Sequence, residues 1–300
     1  MNNQAAPSKL NAMLMRWPKG TVAVQHWLRE QGIPRQLAEK YRRSNWIERI
    51  GQGAYTRTGD KVEVLGGIYA LQSELNLPVH VGGKTALELQ GYAHFVSAKN
   101  LPFVHLFGRP GRPLPTWFRR RQWESKVRFH LVRLFPSKPD LGLTKKVCEQ
   151  IPTQMSAPER AALELVNLVP KEQSFSEARQ LMAGLTTLRP ELVQELLEAC
   201  RSVKAKRLFL FLAEEAGHPW VKELDTSKLD LGRGKRSIVK GGRFDPKYGI
   251  TVEPNPHGLS GSEDRAEHRH AGRRVSDDDA RALQEGARRP RGRGQGADHL

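Results

Sequence analysis

The stretch that decides the fold occupies residues 21–58 and reads TVAVQHWLREQGIPRQLAEKYRRSNWIERIGQGAYTRT. Thr21 is placed to cap a helix whose apolar residues recur at helical spacing. Gly32 is expected to end this helix, because glycine readily adopts the left-handed conformation of a C-cap. Pro34 can begin a second helix at a position where its missing N–H is not required. The stretch therefore predicts two helices joined by a tight turn.

The second predicted helix, residues 34–44, has two unlike faces. At 3.6 residues per turn, Leu37 and Tyr41 fall on an apolar side, and the opposite side is basic and polar. Two short alternating segments follow, residues 46–49 and 54–58, on either side of a glycine-containing turn. This order is typical of a winged helix-turn-helix, in which the second helix enters the major groove and the hairpin, or wing, lies beside the phosphates.

Candidate DNA contacts follow from this prediction. In the second helix they are Arg35, Gln36, Lys40, Arg42 and Arg43, and in the wing they are Gln52, Tyr55 and Arg57. Arginine can pair with guanine through two hydrogen bonds, and glutamine with adenine. Glu39 either accepts from cytosine or pairs with an arginine one turn away. Tyr55 is explained equally well as a core residue, and the whole face as the solvated side of a structural helix.

The charge balance favours a polyanionic partner. The 300 residues carry a formal net charge of +17, and residues 1–60 hold ten Lys and Arg against four acids. Such a field attracts nucleic acid first, with acidic proteins and anionic lipid as weaker alternatives. Because no run of about 18 apolar residues exists, no membrane span is expected.

A second basic patch lies between two predicted strands, residues 103–108 and a strand from residue 126. Eight Lys and Arg stand against one acid over residues 109–133, with Arg119, Arg120 and Arg121 at the centre. The patch suits a second DNA contact, an RNA contact or an acidic protein partner. The neighbouring aromatic residues either stack on bases or anchor the loop to the core; they are Trp117, Phe118 and Trp123.

The predicted fold class is α+β: a winged helix-turn-helix DNA-binding domain over residues 1–94, a mixed α/β domain over residues 95–253 and a disordered tail over residues 254–300. Four helices are predicted between residues 158 and 217, the first opened by a capping box at Ser156. The tail lacks Lys, Ile, Phe, Tyr and Trp, and its nine arginines nearly balance eight acids. It cannot bury enough apolar surface to offset the entropy of ordering.

No catalytic, metal or cofactor site is expected. The Gly82–Gly83–Lys84–Thr85 segment resembles the end of a phosphate-binding loop, but the full pattern needs a glycine at Pro78, so a turn opening a helix is the ordinary explanation. His94, His105 and His130 lack neighbouring catalytic partners, and the two cysteines suit a reducing cytoplasm. The rival hypothesis is a nuclease that uses the winged helix to capture substrate, which would require clustered acids for metal ions.

Several segments, taken in order, resemble a known family. These are the N-terminal winged helix, VGGKTALELQGYAH (residues 81–94), VHLFG (residues 104–108) and PTWF (residues 115–118). Together they are similar to AbiEi-type antitoxins, transcriptional regulators of bacterial type IV toxin–antitoxin systems. The resemblance covers roughly residues 5–252.

The resemblance implies an N-terminal domain that represses its own operon by binding inverted repeats at the promoter. It also implies a C-terminal domain that counters, directly or indirectly, a nucleotidyltransferase toxin of the AbiEii kind. By position, Arg35, Gln36, Arg42 and Arg43 fall in the recognition helix of this pattern. No short motif marks an antitoxin surface. A cytoplasmic protein with no cofactor is the resulting expectation.

Overall fold

The N-terminal module contains three helices and a hairpin in the computed structural model, which describes residues 8–92 and 101–254. Its elements are α1 (Lys9–Arg16), β1 (Ala23–Val24), α2 (Gln25–Glu30), α3 (Arg35–Arg43), β2 (Ile47–Gly51) and β3 (Ala54–Arg57). The three strands form an antiparallel sheet in the order β1-β3-β2. This is the predicted order of helix, turn, helix and wing.

Turn chemistry explains most of these boundaries. Gly32 ends α2 with a φ of +78°, and the N–H of Ile33 donates to the Leu28 carbonyl at 2.9 Å. Pro34 is the N-cap of α3, and Asn45 follows its C-cap with a φ of +60°. The Thr21 cap prediction is wrong. Its hydroxyl donates to the Pro18 carbonyl at 2.7 Å, because the chain runs extended through β1 before α2 begins.

A small core holds this module together. Trp17, Leu28, Ile33, Ala38 and Ile47 are buried in one cluster. The Trp17 indole N–H donates to the Thr21 carbonyl at 3.2 Å, so its one polar atom is satisfied. Ala38 is the only residue of α3 that is fully buried, which leaves most of that short helix facing outward.

The next elements lead into a larger sheet. They are α4 (Val64–Tyr69), a π-helical turn (Ala70–Glu74), β4 (Val79–Val81) and α5 (Gly83–Leu89). The sequence predicts one continuous helix over residues 62–76, and the structure shortens it and ends it in the π-helical turn. The sequence HVGG of residues 80–83 also predicts a turn. The structure contradicts the first half of this prediction, because His80 and Val81 belong to β4.

The larger sheet has five strands in the order β6-β5-β4-β8-β7. After β5 (Phe103–Gly108) come the short α6 (Thr116–Arg120) and β6 (Lys126–Leu131), followed by the hairpin of β7 (Leu143–Cys148) and β8 (Ile151–Ser156). β5 pairs in parallel with β6, and β4 in parallel with β8. The β7–β8 hairpin is not among the elements predicted from the sequence.

Helices and a small sheet complete the described chain. They are α7 (Pro158–Leu168), α8 (Phe175–Ala183), α9 (Pro190–Ala199), α10 (Val203–Glu215), β9 (Arg236–Ser237), β10 (Arg243–Asp245) and β11 (Ile250–Val252). The four helices match their predictions. The capping box at Ser156 does not, because that serine ends β8 and its hydroxyl donates to Glu164 at 2.7 Å, so Ala157 is the N-cap.

β4 is a central strand, although it precedes residue 95. It pairs with β5 on one side and β8 on the other, and both partners follow residue 95. The boundary predicted at residue 94 and the predicted tail after Pro254 fall outside the described residues, and the three-part domain division stays a prediction. Within the described residues no helix combines the length and apolarity that a membrane span requires.

Candidate nucleic-acid interface

The outer face of α3 carries the predicted recognition residues. Its five basic and polar candidates are all exposed, namely Arg35, Gln36, Lys40, Arg42 and Arg43. On the opposite side, Leu37 and Tyr41 are half-buried against the module's core. The amphipathic prediction for this helix is therefore confirmed in its geometry. The helix is anchored by its apolar side and presents three arginines and a lysine to solvent.

Glu39 fixes the orientation of Arg42. Its two carboxylate oxygens accept from Arg42 Nη2 at 2.7 Å and from Arg42 Nε at 3.0 Å, and Arg43 Nε lies 3.5 Å away. The hydrogen bond from Arg42, with the charges of Arg42 and Arg43, lowers the pKa of Glu39 to about 2. Of the two interpretations of Glu39, pairing with an arginine one turn away is the one that this geometry shows.

The wing flanks the C-terminal end of α3. Gln52 is exposed at its tip, where Gly53 takes a φ of +68°. Arg49 donates through Nε to the Gly51 carbonyl at 3.1 Å, which braces the turn. Trp46 begins the wing with 50% of its surface exposed, which is unusual for so large an apolar side chain. Neither Trp46 nor Arg49 is among the candidates predicted from the sequence.

Two predicted wing residues point inward. Tyr55 is 5% exposed, packs in the module's core and bonds through its hydroxyl to Gln25 Oε1 at 3.2 Å. Arg57 donates to the Leu14 carbonyl, and its guanidinium lies 5.7 Å from the Trp17 ring centroid. Burial lowers the pKa of Arg57. Both side chains hold the hairpin against α1 and the core in this structure.

The second basic patch lies beside the turn of the wing. Arg119 and Arg120 are exposed on α6. Arg121 is half-buried, donates to the Val62 carbonyl at 3.4 Å and lies over the Trp123 ring. A Cβ atom added at Gly51 of β2 would lie 2.6 Å from Trp117 Cβ, so α6 packs directly on the wing.

The aromatic residues around this patch are anchors. Trp117 and Phe118 are buried in the main core, at 6% and 2% exposure. Trp123 packs on Gly67 of α4, where an added Cβ would lie 2.5 Å from its ring, and its indole N–H donates to the Phe118 carbonyl at 2.9 Å. Of the two roles left open for these rings, anchoring the loop is the one that the packing shows.

Comparisons with known proteins agree with this architecture. A family model described as "Transcriptional regulator, AbiEi antitoxin, Type IV TA system" matches residues 102–253. A second, described as "Transcriptional regulator, AbiEi antitoxin N-terminal domain", matches residues 6–98. The chain belongs to the AbiEi antitoxin family. The family resemblance and the α+β class predicted from the sequence are thereby confirmed.

A solved structure of similar fold is the crystal structure of the RV2827C protein from Mycobacterium tuberculosis. The TM-score is 0.52 at 14% sequence identity, over 82% of this chain and 92% of that chain. At this identity the similarity concerns the fold alone. A comparison with curated proteins found no match.

The glycine pair at the start of α5 of this AbiEi chain serves the packing of a buried carboxylate. The Gly83 N–H donates to Glu164 Oε2 at 3.1 Å, and a Cβ atom added at Gly82 would lie 2.6 Å from the Phe107 ring. Lys84 pairs with Glu88 at 3.5 Å and with Glu177. The segment is therefore a turn that opens a helix, in agreement with the ordinary explanation of its sequence.

Two of the histidines meet at one face of the five-stranded sheet. His105 Nδ1 lies 2.9 Å from His130 Nε2, and their rings stack. Burial, together with the His130 and Arg128 charges, lowers the pKa of His105 to about 4, and burial lowers that of His130. Both are therefore neutral near pH 7. His94 lies outside the described residues.

A buried polar cluster around Glu164 is a further feature that the sequence does not predict. Glu164 lies on α7, whose period-3.6 pattern gives no sign that this carboxylate would be fully buried. It accepts from Ser156, Arg160, His80 and the Gly83 N–H. Burial raises its pKa, and the hydrogen bonds and charges of His80 and Arg160 outweigh that effect and lower it.

Proposed function

We propose that this AbiEi transcriptional regulator represses its own operon by binding inverted repeats in the promoter through α3 and the wing. The observation that supports the proposal is the outward basic face of α3, held by an apolar underside and flanked by a hairpin. A helix of this kind is narrow enough for the major groove, and its arginines and glutamine carry the donors that read base edges.

The proposed contacts divide by role. On α3, Arg35 and Gln36 occupy the N-terminal turn, from which recognition helices usually reach base edges. Lys40, Arg42 and Arg43 occupy the last turns and would contact phosphates. In the wing, Gln52 and Arg49 would contact the sugar–phosphate backbone of the DNA. Tyr55 and Arg57 would act indirectly, by holding the hairpin.

The second basic patch would extend this surface. Because α6 packs through Trp117 on Gly51, next to the turn of the wing, Arg119 and Arg120 would lie near the phosphates that the wing follows. Two further phosphate contacts would raise affinity without sequence preference and steepen its salt dependence. A DNA contact is therefore favoured over the RNA and acidic-protein alternatives.

A footprint on the natural upstream region tests the DNA proposal. The purified full chain is expected to protect two similar half-sites about one or two helical turns apart, and to repress a reporter driven by that region. Replacing Arg35 and Gln36 by alanine should remove sequence preference while the protein retains weak binding. Protection of no upstream segment, or equal protection of unrelated DNA, would contradict the proposal.

The antitoxin role would be exerted against a nucleotidyltransferase toxin encoded by a neighbouring gene. Its support is membership of the AbiEi family, whose name describes an antitoxin of a type IV system. Co-expression of the full chain is expected to restore growth of cells that produce the toxin. Expressing the toxin from an unrelated promoter serves as the control, since it separates rescue from repression. Continued growth arrest despite full expression of a folded chain would contradict this role.

The nuclease hypothesis can be tested in the same preparation. Residues 8–92 and 101–254 contain no group of three His, Cys, Asp or Glu side chains placed to hold a metal ion. We propose that the chain has no nuclease activity. Cleavage of duplex DNA in magnesium, abolished by a single Asp or Glu substitution, would establish the enzyme instead.

A further inference from the structure

A cavity of about 320 Å³ lies at the ends of the central strands and has no part in the DNA-binding proposal. Gly108 at the end of β5, the segment after β6 and the start of β4 contribute to its lining. Its volume falls in the range of small-molecule sites, which are commonly apolar with a few polar groups. The chemistry of the lining therefore decides which class of molecule the cavity fits.

The floor of the cavity is a buried polar cluster. His80, Arg160 and Glu164 line it and are 8%, 6% and 1% exposed. Glu164 Oε1 lies 2.8 Å from both His80 Nε2 and Arg160 Nε. Arg160 Nη1 also donates to the Pro139 carbonyl at 2.7 Å and the Leu141 carbonyl at 2.8 Å. These bonds hold the His80 and Arg160 side chains in fixed positions.

Each of these two side chains keeps one unused polar atom. A carboxylate only accepts, so His80 Nε2 carries a hydrogen, and Nδ1 is the second polar atom of the ring. Arg160 Nη2 is a donor. Within residues 8–92 and 101–254 neither atom has a hydrogen-bond partner. The floor thus offers an imidazole nitrogen and a guanidinium N–H, two groups that can hydrogen-bond the polar edge of a nucleobase.

The walls and the rim suit the two other parts of a nucleotide. Phe107 and Phe135 line the cavity and make its walls apolar, with the Phe107 ring stacked on His80 and the Arg160 guanidinium over the Phe135 ring. At the rim, Arg109 pairs with Asp140 at 2.9 Å, and Arg133 is exposed with no ion-pair partner among the described residues. Arg112 lines an adjoining cavity that shares Pro78, Arg109 and Pro110 with this one. The rim therefore carries an excess of positive charge.

We propose that this cavity binds a nucleoside monophosphate. The base would lie beside Phe107 and Phe135 with its polar edge on His80 and Arg160. The phosphate would lie at the rim on Arg133 and Arg109. A simple anion would leave the apolar walls unused, and an apolar molecule would leave the two polar atoms of the floor unpaired at a cost.

Calorimetric titration of the full chain with the four ribonucleoside monophosphates tests the proposal. At least one is expected to bind with a Kd below about 1 mM, and its nucleoside more weakly, by about tenfold. Arg133→Glu should weaken the monophosphate by at least about tenfold and leave the nucleoside unchanged. Val132→Trp, which adds bulk to the lining, should weaken both. Arg233→Glu makes the same charge change at an exposed site outside the cavity and should alter neither.

Three results would overturn the proposal. The first is the absence of binding by all four monophosphates in a chain whose circular dichroism is native. The second is equal binding of inorganic phosphate, which would indicate an anion site only. The third is unchanged monophosphate affinity in both Arg133→Glu and Val132→Trp, which would place the binding elsewhere. The Arg42→Glu, Arg43→Glu double variant should lose DNA binding and keep nucleotide binding. A failure of the nucleotide proposal is therefore distinguishable from a failure of the DNA-binding proposal.

Discussion

At the scale of single residues, the most informative groups are carboxylates that the sequence gives no reason to bury. Glu74 ends the π-helical turn and accepts from the Val24 N–H at 2.6 Å, at the start of α2. Its other oxygen has no hydrogen-bond partner among the described residues. Burial raises the pKa of Glu74 to about 8, against the opposing effect of the Val24 bond. This carboxyl couples α4 to the helix-turn-helix.

The raised pKa of Glu74 predicts a pH-dependent stability. Between pH 4.5 and about 8 the folded state holds a proton that the unfolded state has lost, so stability falls as pH rises through this window. Glu74→Gln mimics the protonated form and should stabilise the chain at pH 8 by on the order of 1–3 kcal/mol, with little effect near pH 4.5. Urea unfolding at both pH values measures this difference.

The control for Glu74 is Glu223→Gln, an exposed carboxyl on a short 3₁₀ helix. It should change stability by less than about 0.5 kcal/mol at either pH. If Glu74→Gln is less stable than the wild type at pH 8, the ionised carboxylate stabilises the folded state at that pH, which would contradict the raised pKa of Glu74.

Gly82 is a second informative residue, because its buried neighbours lie too close to leave room for a side chain. An added Cβ would overlap the Phe107 ring and the Glu164 carboxylate, and neither can shift without disturbing the buried cluster. Gly82→Ala is expected to destabilise the fold by about 2–4 kcal/mol in chemical denaturation. Gly184→Ala, at a helix C-cap where the new atom meets only ordinary contacts at 3.4 Å, should cost far less. Equal effects of the two substitutions would refute the packing argument.

At the scale of elements, the amphipathic pattern predicts some parts well and others poorly. The helices α3 and α7 to α10 follow from apolar spacing and from Gly and Pro at their ends. The β7–β8 hairpin does not, because β7 is an edge strand that exposes Lys145, Lys146 and Val147 and so lacks a regular alternation. β4 has three residues, too few to show a period.

The residues of the candidate site also divide into those that the sequence could predict and those that it could not. The outward residues of α3 could be predicted, since helical spacing alone assigns their side. Tyr55 and Arg57 could not, because their inward orientation depends on the register of β3 against β1 and on the position of α1. The cluster around Glu164 joins β4, β8 and α7, and only the folded topology brings these together.

The ion pairs on α3 give a prediction at the element scale. Glu39 neutralises part of the charge of Arg42 and Arg43, so Glu39→Gln should raise affinity for promoter DNA, by about threefold at moderate salt. Glu30→Gln on α2 removes an equal charge from an exposed site and serves as the control. Fluorescence anisotropy of labelled DNA measures both. A loss of affinity in Glu39→Gln would instead support a direct contact from Glu39 to cytosine.

At the scale of the whole molecule, the sheet crosses the predicted domain boundary. A fragment of residues 95–254 would lack β4, which bonds β5 and β8. It is expected to show no cooperative unfolding, whereas residues 62–254, which retain α4 and β4, should regain it. Circular dichroism during urea titration compares the two fragments. Cooperative unfolding of residues 95–254 alone would support a domain boundary at residue 94.

The net charge is also a property of the whole molecule. Because the arginines and acids of residues 254–300 nearly cancel, the positive field arises almost entirely from residues 1–253. The affinity for DNA should therefore fall steeply as the salt concentration rises, and residues 1–253 should account for this dependence.

The most direct test of the account is the affinity of the Arg42→Glu, Arg43→Glu double variant for upstream DNA, measured by anisotropy over a range of salt. We predict a loss of at least about thirtyfold and a salt slope shallower by about two, with circular dichroism unchanged and Arg233→Glu close to wild type. Wild-type affinity with an unaltered slope in the folded double variant would contradict the assignment of α3 as the DNA-reading helix.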